Sequence, residues 1–479
     1  MAFEPKKIGE AKWQIKKQGN MRVPAVIYAN DRLIEKVKTD RTLKQLTNVA
    51  TMRGILNAAY VMPDAHEGYG FPIGGVAAFD LEQGVISPGG VGYDINCGVR
   101  LIRTDLKAEE IKPKMNELMN ALFANVPSGV GSKGRLRLEK NELEEALVDG
   151  AGWVVKQGYG WSDDTEHMEE YGKMPGARPE FVSDKAMKRG KPQFGTLGAG
   201  NHFLEVQRVE KIIEEETAKA FGLYEGQAVI MLHCGSRGFG HQVCSDYLRV
   251  MMDAVRKYKI DLPDRELACT PLNSKEAEQY IGAMACAINY AFCNRQVMTQ
   301  WVRQTFEKVF GRSAEDLGMR LVYDVCHNIA KFEEHEVQGQ RKKVCVHRKG
   351  ATRAFGPGRE EVPKAYREVG QPVLIPGSMG TASYVLVGTK EAELNSFGSA
   401  CHGSGRVMSR SQAVRTYPGE QVKRKLDEKG IVLRGGGGKL VSEEAPGAYK
   451  DVDDVVGSVQ AAGLSRAVAR LTPMGVAKG

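Results

Sequence analysis

The sequence predicts a mixed α/β protein. Two observations carry this: residues 274–310 have the apolar spacing of one long helix, and short apolar runs of strand length recur along the chain, several ending in polar, glycine-rich turns. A third observation narrows it. There is no regular βαβ alternation and no intact GxGxxG. Of the 479 residues, 42% are hydrophobic and 26% charged, an ordinary globular balance with enough apolar material for a large core.

Taken in order, residues 32–60 read as mixed helix and Val61–Pro63 as a strand. Residues 108–125 and 139–157 read as two amphipathic helices, followed by a polar, glycine-punctuated connection to about Gly190, of a length that is usually functional or mobile. Val229–Leu232 reads as a strand. In the long helix, Asn273 and Glu276 have capping-box spacing. Ile281, Met284, Ile288, Phe292, Met298, Trp301, Val302, Phe306 and Val309 recur at helical steps, and Gly311 closes it. That stripe reads as a core-facing surface rather than a partner-binding one. Leu321–Val325, Val373–Ile375 and Tyr384–Val387 complete the strands. Gly435–Gly438 before Lys439 resembles a phosphate loop, but no Ser or Thr follows the lysine and the first glycine of the pattern is missing, so it reads as a flexible turn.

Lys and Arg total 67 against 59 Asp and Glu, so the formal charge is 67 − 59 = +8. This mild basic bias permits a nucleic-acid partner without demanding one. Met1–Lys17 has no apolar secretory core, no stretch approaches the ~18 apolar residues of a membrane span, and none of the nine cysteines falls in a CxxC pair. A cytoplasmic protein with reduced thiols is expected. Cys244, Cys286 and Cys293 sit in apolar, helix-like surroundings. Cys97 does not.

Four of the nine histidines, His202, His233, His327 and His402, follow strand-like runs or sit in glycine-rich turns. One such histidine is usually structural; four in like settings are harder to dismiss. Asp94 and Cys97, three apart in a glycine-rich segment, can converge on the same centre. Imidazole and thiolate suit zinc or iron, whereas the carboxylate favours harder ions such as manganese, and ligands spread over separate loops look catalytic rather than structural. Spacing alone does not choose between a metal centre and structural histidines. His402 is bracketed by Gly398, Gly403 and Gly405, with a helix expected from about Val407. Such backbone offers N–H groups to phosphate, and imidazole can carry a phosphoryl or nucleotidyl group. The loop from Pro376 to Ser383 has the same small, hydroxyl-bearing character, though either loop alone reads as an ordinary turn.

The segments PDAHEGYGFPIGG, GGVGYDINCGVR, GAGNHFLEV, HCGSRGFGHQV, YDVCHN, PGSMGTASY and ACHGSGR resemble the signature blocks of RtcB-type RNA-splicing ligases, in family order, from near Lys16 to Lys478. The resemblance implies one large unit over residues 1–479, with a central β-sandwich-like core, helices around it and a metal site in a cleft. It implies two Mn²⁺ ions bridged by Cys97, one also held by Asp94 and His202, the other by His233 and His327. It implies GTP, with His402 guanylylated, Asn201 and Asn328 on phosphates, and Phe203, Leu204 and Glu205 around the guanine. The nucleotide loops would be Pro376, Gly377, Ser378, Met379 and Ser383, then Gly403, Ser404 and Gly405, with Lys478 near the base; His202 and His327 would also face the nucleotide. A carboxylate at Glu205 matches the N1–H and amino group of guanine and would be left unsatisfied by adenine.

The implied reaction joins an RNA 3′-phosphate or 2′,3′-cyclic phosphate to a 5′-hydroxyl through histidine–GMP and RNA-pp-G, in tRNA splicing and RNA repair. An archease-type activator and a monomeric state follow by resemblance. Lys188, Arg189, Arg237, Arg348, Lys349, Arg353 and Arg410 are the expected basic RNA surface; Arg237 and Arg410 stand out because they lie in or beside the signature blocks. A metal-dependent phosphoesterase acting on cyclic-phosphate ends would share the ligands but need neither nucleotide loop nor His402. A non-catalytic RNA-binding scaffold would need no Cys–Asp–His set.

Overall fold

The computed structural model describes residues 4–479. Its strands gather into two large sheets wrapped by helices, the expected mixed α/β class. One sheet runs in the order Lys6–Gly9, Lys12–Ile15, Ala25–Tyr28, Ala59–His66, Ile73–Asp80, Gln340–Lys349, Asn328–Val337. The other runs Arg320–Cys326, Gly98–Lys107, Gln227–Cys234, Phe203–Ile212, Ser465–Lys478, Ser383–Gly388, Pro372–Ile375, with Val432–Gly435 alongside Ser465–Lys478. The second sheet curls until its first and last strands approach one another.

Alternation along the strands divides that sheet's side chains between two cores. Val99, Leu101, Phe203, Val229, Met231, Val385 and Leu471 fill the inside of the curl. Ile102, Leu204, Val206, Ile230 and Leu232 belong to the outer core, with the long helix. Elsewhere Val373, Ile375 and Leu386 share a layer with Val26, Val61 and Val76 of the first sheet and with helix Val452–Ala461, which makes the sandwich-like interior.

The long helix is Lys275–Phe310, ended by Gly311 in the left-handed conformation (φ 67°). Its cap is Ser274, whose Oγ accepts from the Ala277 N–H at 3.1 Å, not the expected Asn273. The helix thus begins one position later, and the capped N–H is that of Ala277 rather than Glu276. From Ala283 to Thr299 every side chain is buried, so the apolar stripe understated the helix's burial. Its polar residues must then find partners: Arg303 pairs with Asp164 at 2.7 Å and Arg295 with Asp324 at 2.8 Å.

Other helix expectations were too long. Residues 32–60 hold Asp31–Val37 and Thr42–Val49, with the strand Ala59–His66 beginning inside the range. Between Ala108–Ile111 and Met115–Asn125 the chain tightens at Pro113, which lacks an N–H for the helical ladder. Lys140–Asp149 and Ala151–Lys156 are divided at Gly150, which has φ 63° and where a Cβ would lie 2.3 Å from the Gly172 carbonyl oxygen. The polar connection to Gly190 is short helical turns with the helix Asp184–Gly190. At Gly435–Gly438 the chain turns from the strand Val432–Gly435 into the helix Gly438–Glu443, with Gly435 and Gly436 left-handed. The helix expected near Val407 begins at Arg410 under a Ser409 cap. Asn328–Val337 was missed because its buried face carries Lys331, Glu333 and His335, which hides the apolar alternation of a strand. Among the described residues no helix is long and apolar enough to cross a membrane. The nine cysteines are free and buried.

Candidate metal and nucleotide centre

Strand register brings the chemistry-bearing loops to one end of the curled sheet. Gly98 lies opposite both Cys234 and Cys326, and Phe203 opposite His233. Cys97, His202, His233 and His327, each at or next to one of these positions, therefore meet although the chain separates them widely. His327 lies where the chain passes from one sheet into the other, between Arg320–Cys326 and Asn328–Val337.

Two overlapping donor groups result: Asp94, Cys97 and His202, and Cys97, His233 and His327, with ligand atoms within 4.8 Å of one another in each. The Cys97 sulfur lies 3.4 Å from His202 Nε2 and 3.2 Å from His233 Nε2. His202 Nε2 lies 2.9 Å from Asp94 Oδ2, and His233 Nε2 lies 3.3 Å from His327 Nε2. Imidazole nitrogens, a sulfur and a carboxylate oxygen thus crowd one point, the arrangement a bound cation would use once their shared protons are displaced. Among the described residues the buried His327 Nδ1 has no partner. Two donor groups that share the Cys97 sulfur fit divalent metal ions, the imidazoles and thiolate suiting softer ions and the carboxylate harder ones such as manganese. Asp94 is steadied from behind by the Ser236 N–H at 2.9 Å and by its hydroxyl at 3.3 Å.

The electrostatics agree with such a site. Burial and the Asp94 carboxylate push the Cys97 thiol up to about 12, so without a cation it keeps its proton. Burial pulls His202 down, but Cys234, Cys97 and Asp94 together hold it well above the usual range. Burial and neighbouring histidines press His233 and His327 well below it. Asp94 stays ionised against its burial because His202 donates to it.

Behind the loops stands Arg295 of the long helix. It pairs with both Asp324 oxygens at 2.8 Å and donates to the carbonyls of Asn96 at 2.8 Å and Cys234 at 2.9 Å. Asn96, between the two ligands Asp94 and Cys97, has a left-handed φ of 52° that this clamp holds in place.

The centre opens into a cleft of about 920 Å³. His402 lies on its wall, directly after the strand Ser399–Cys401, its ring 4.8 Å from that of His327. Its Nδ1 lies 2.5 Å from Asp64 Oδ2, close but poorly aligned as a hydrogen bond. The same oxygen accepts the backbone N–H groups of His402 at 3.0 Å and Gly403 at 3.2 Å. Burial works against the Asp64 charge, but His402 and Lys450 hold its carboxyl below the usual range. Gly405 completes the seat: a Cβ there would lie 1.9 Å from the Asp64 carbonyl oxygen.

Of the expected nucleotide residues, Asn201, Phe203, His327, Asn328, Pro376, Gly377, Ser378, Met379, His402, Gly403, Ser404, Gly405 and Lys478 line this cleft. His202, Leu204, Glu205 and Ser383 do not. Strand alternation turns the Leu204 side chain into the outer core with Leu232, away from Phe203 and Glu205. Glu205 and Ser383 lie beneath the wall, joined by Gln207, whose Nε2 donates to Glu205 at 2.7 Å and Ser383 at 3.1 Å. Burial raises Glu205 to about 7, against the opposing effects of Gln207 and Lys478.

For Arg348, Lys349 and Arg353 the expected basic surface is corrected. Arg348, Lys349 and Arg353 are buried: Arg348 grips Glu333 at 2.8 Å, Arg353 pairs with Glu170 at 2.7 Å, and Lys349 donates to the Tyr69 carbonyl at 2.8 Å. Arg237 is enclosed, donating to Thr196 at 3.1 Å and the Gly129 carbonyl at 3.2 Å. Arg189 donates to Gln242 at 3.0 Å, and its neighbour Lys188 sits on the same helix, Asp184–Gly190. Arg410 alone of the seven is on the cleft rim.

Sequence reasoning missed Asp64, Ser236 and the cleft residues His66, Glu444 and Lys450. The available signal for Asp64 and His66 was a carboxylate and an imidazole two apart at the end of an apolar run. Glu444 gave none; it lies 3.5 Å from Lys478 and 3.3 Å from Arg406, far along the chain from the former.

A family model described as tRNA-splicing ligase RtcB matches residues 45–479. Over 475 residues the chain is 60% identical to the tRNA-splicing ligase RtcB of Thermococcus kodakarensis, which covers 99% of this chain and 98% of that relative. The corresponding protein of Archaeoglobus fulgidus is 60% identical over 476 residues, 99% of this chain and 98% of the relative. That of Aeropyrum pernix is 55% identical over 478 residues, 99% of each.

Proposed function

The chain belongs to the RtcB family of tRNA-splicing ligases and is an RNA ligase, and from that premise we propose that it uses GTP, two Mn²⁺ ions and a His402–GMP intermediate to join RNA 3′-phosphate or 2′,3′-cyclic phosphate ends to 5′-hydroxyl ends. The observation that carries the reading is His402 itself: an imidazole on the cleft wall, its Nδ1 2.5 Å from Asp64 and its ring 4.8 Å from His327 of the ligand cluster. A carboxylate at Nδ1 favours the proton there and leaves Nε2 as the nucleophile.

Asp94, Cys97 and His202 would hold one ion, and Cys97, His233 and His327 the other. A divalent ion held by these residues would supply Lewis-acid stabilisation of charge on the phosphate under attack. His402 Nε2 attacks the α-phosphorus of GTP; the N–P bond forms and the P–O bond to pyrophosphate breaks, its electron pair leaving with pyrophosphate. An oxygen of the RNA 3′-phosphate then attacks that phosphorus, the N–P bond breaks, and RNA-pp-G results. Finally the 5′-hydroxyl oxygen attacks the RNA phosphorus and GMP departs. A cyclic phosphate is first opened by water. The backbone of Gly377–Met379 and Gly403–Gly405, with Asn201 and Asn328, would orient the phosphates, and Glu205 would accept from guanine. Family membership further supports a single cytoplasmic, monomeric unit served by an archease-type activator.

Intact-mass measurement after incubation with GTP and Mn²⁺ tests this. A GMP-sized increase is expected on the wild type and none on His402→Ala. No increase on the wild type, with metal verified as bound, would favour the phosphoesterase reading, to be followed by assay of cyclic-phosphate opening.

Glu205 makes GTP binding pH-dependent. Guanine's two donors need the carboxylate, and burial leaves that group half protonated near pH 7. Binding therefore expels a proton, and affinity rises as pH climbs through about 7 before levelling off. A non-hydrolysable GTP analogue should bind about tenfold more tightly at pH 8 than at pH 6, by calorimetry. Glu205→Gln should weaken binding and flatten the dependence. An unchanged slope in that variant would place the titrating group elsewhere.

A further inference from the structure

A second histidine is turned into the same cleft and has no part in the scheme above. His66 ends the strand Ala59–His66, two residues past Asp64, and lines the cleft beside Glu67 and Gly68. Its Nδ1 lies 3.2 Å from the Asp64 carbonyl oxygen. A carbonyl can only accept, so Nδ1 carries the proton and Nε2 the lone pair. No described residue bonds to Nε2, nor is it among the enclosed polar atoms left without a partner, so it is open to the cleft. Neither metal-ligand group includes His66. Asp64 thus serves two imidazoles at once: its side chain seats His402, and its main chain sets the tautomer of His66.

The charged groups around His66 are Lys450, Asp64 and His402, with Lys36, Asp40 and Glu67 on the rim. Lys450 is clamped by the carbonyls of Pro63 and Ala65, on either side of Asp64. Burial and the Lys450 charge push His66 down to about 4, so the ring is neutral across the physiological range. The negative charge of an entering RNA phosphate raises it back toward its ordinary value, where a general base is more effective.

We propose that His66 is the general base of the joining step, a role that rests on the ligase reading of the cleft. Nε2 takes the proton of the RNA 5′-hydroxyl as that oxygen attacks the 3′-phosphorus of RNA-pp-G. The new O–P bond forms, the P–O bond to GMP breaks with its electron pair on the departing phosphate, and the imidazolium sheds its proton to solvent.

The test uses the full chain with Mn²⁺ and the variants His66→Ala and His66→Gln. The GMP adduct is read by intact mass, RNA-pp-G by gel, and joining from pre-formed RNA-pp-G and a 5′-hydroxyl RNA. Both variants should still form the adduct and RNA-pp-G, whereas joining slows on the order of 10²-fold or more and RNA-pp-G accumulates. Added imidazole should restore part of the His66→Ala rate. Glutamine can donate to the Asp64 carbonyl but cannot act as a base, so His66→Gln should be as slow as His66→Ala. Wild-type joining in either variant would overturn the proposal. Parallel loss of the adduct would do so too, since His66 would then act through Asp64 on His402. Failure of the wild type to form any adduct would instead overturn the ligase reading beneath it.

Discussion

Cys97→Ala is expected to abolish metal binding at both positions at once. Cys97 belongs to both donor groups, so its loss leaves Asp94 with His202 on one side and His233 with His327 on the other. Two protein ligands, in a site shaped around a shared sulfur, are too few to hold a divalent ion firmly. Losing merely an outer-shell partner costs 10–100-fold in affinity, so loss of the bridging ligand should exceed about 100-fold. Titration calorimetry with Mn²⁺ should show two sites on the wild type and none at comparable concentrations on the variant. His202→Ala should weaken one site and spare the other. If Cys97→Ala retains one tight site, the sulfur does not bridge. The buried thiol, pushed up to about 12, adds a pH signature. Metal must displace its proton, so affinity should climb steadily with pH through the neutral range.

Arg295→Met should give the largest loss of stability. The side chain is fully buried and is bonded to Asp324 and to the carbonyls of Asn96 and Cys234. Methionine fills similar volume but takes a donor from two buried carbonyls and removes one of two cations around Asp324, the other being Arg100 at 2.7 Å. Breaking a buried ion pair by removing one partner costs about 3–5 kcal/mol. Arg100 keeps part of the compensation, which favours the lower end. The same change loosens the Asp94–Cys97 loop and the end of the strand bearing His233, so Mn²⁺ affinity should fall together with the denaturation midpoint. A variant with wild-type midpoint and wild-type affinity would remove Arg295 from any structural role.

Strands written in plain apolar runs were legible: Val61–Pro63, Val229–Leu232, Leu321–Val325, Val373–Ile375 and Tyr384–Val387 all fall inside observed strands. Strands whose buried faces carry charge were not. Glu333 sits under a bidentate grip by Arg348, and Lys331 lies 2.6 Å from Glu169. Buried ion pairs erase the polar/apolar contrast on which periodicity depends. They also explain the misplaced basic surface. Arg348 and Arg353 look like any exposed arginine until the carboxylates they meet, in other elements, are known.

By itself the sequence determined the kinds of group available: one cysteine apart from its apolar fellows, an aspartate three residues before it, four histidines in strand-end or glycine-rich settings, and two small-residue loops. Those types allow a metal and a phosphate, but spacing alone leaves structural histidines and ordinary turns equally open, and the resemblance to the ligase blocks is what implies the two ligands. Only the tertiary structure decided which of them meet, because convergence depends on strand register and on the passage of the chain between two sheets. Asp64 and His402 stand 338 residues apart, yet one carboxylate oxygen seats both the ring and the backbone of the histidine. Leu204, next to the cleft-lining Phe203, is turned away by the pleat of its strand. Contacts of that range have no local signature, since nothing near Asp64 in the chain marks the residue it will hold.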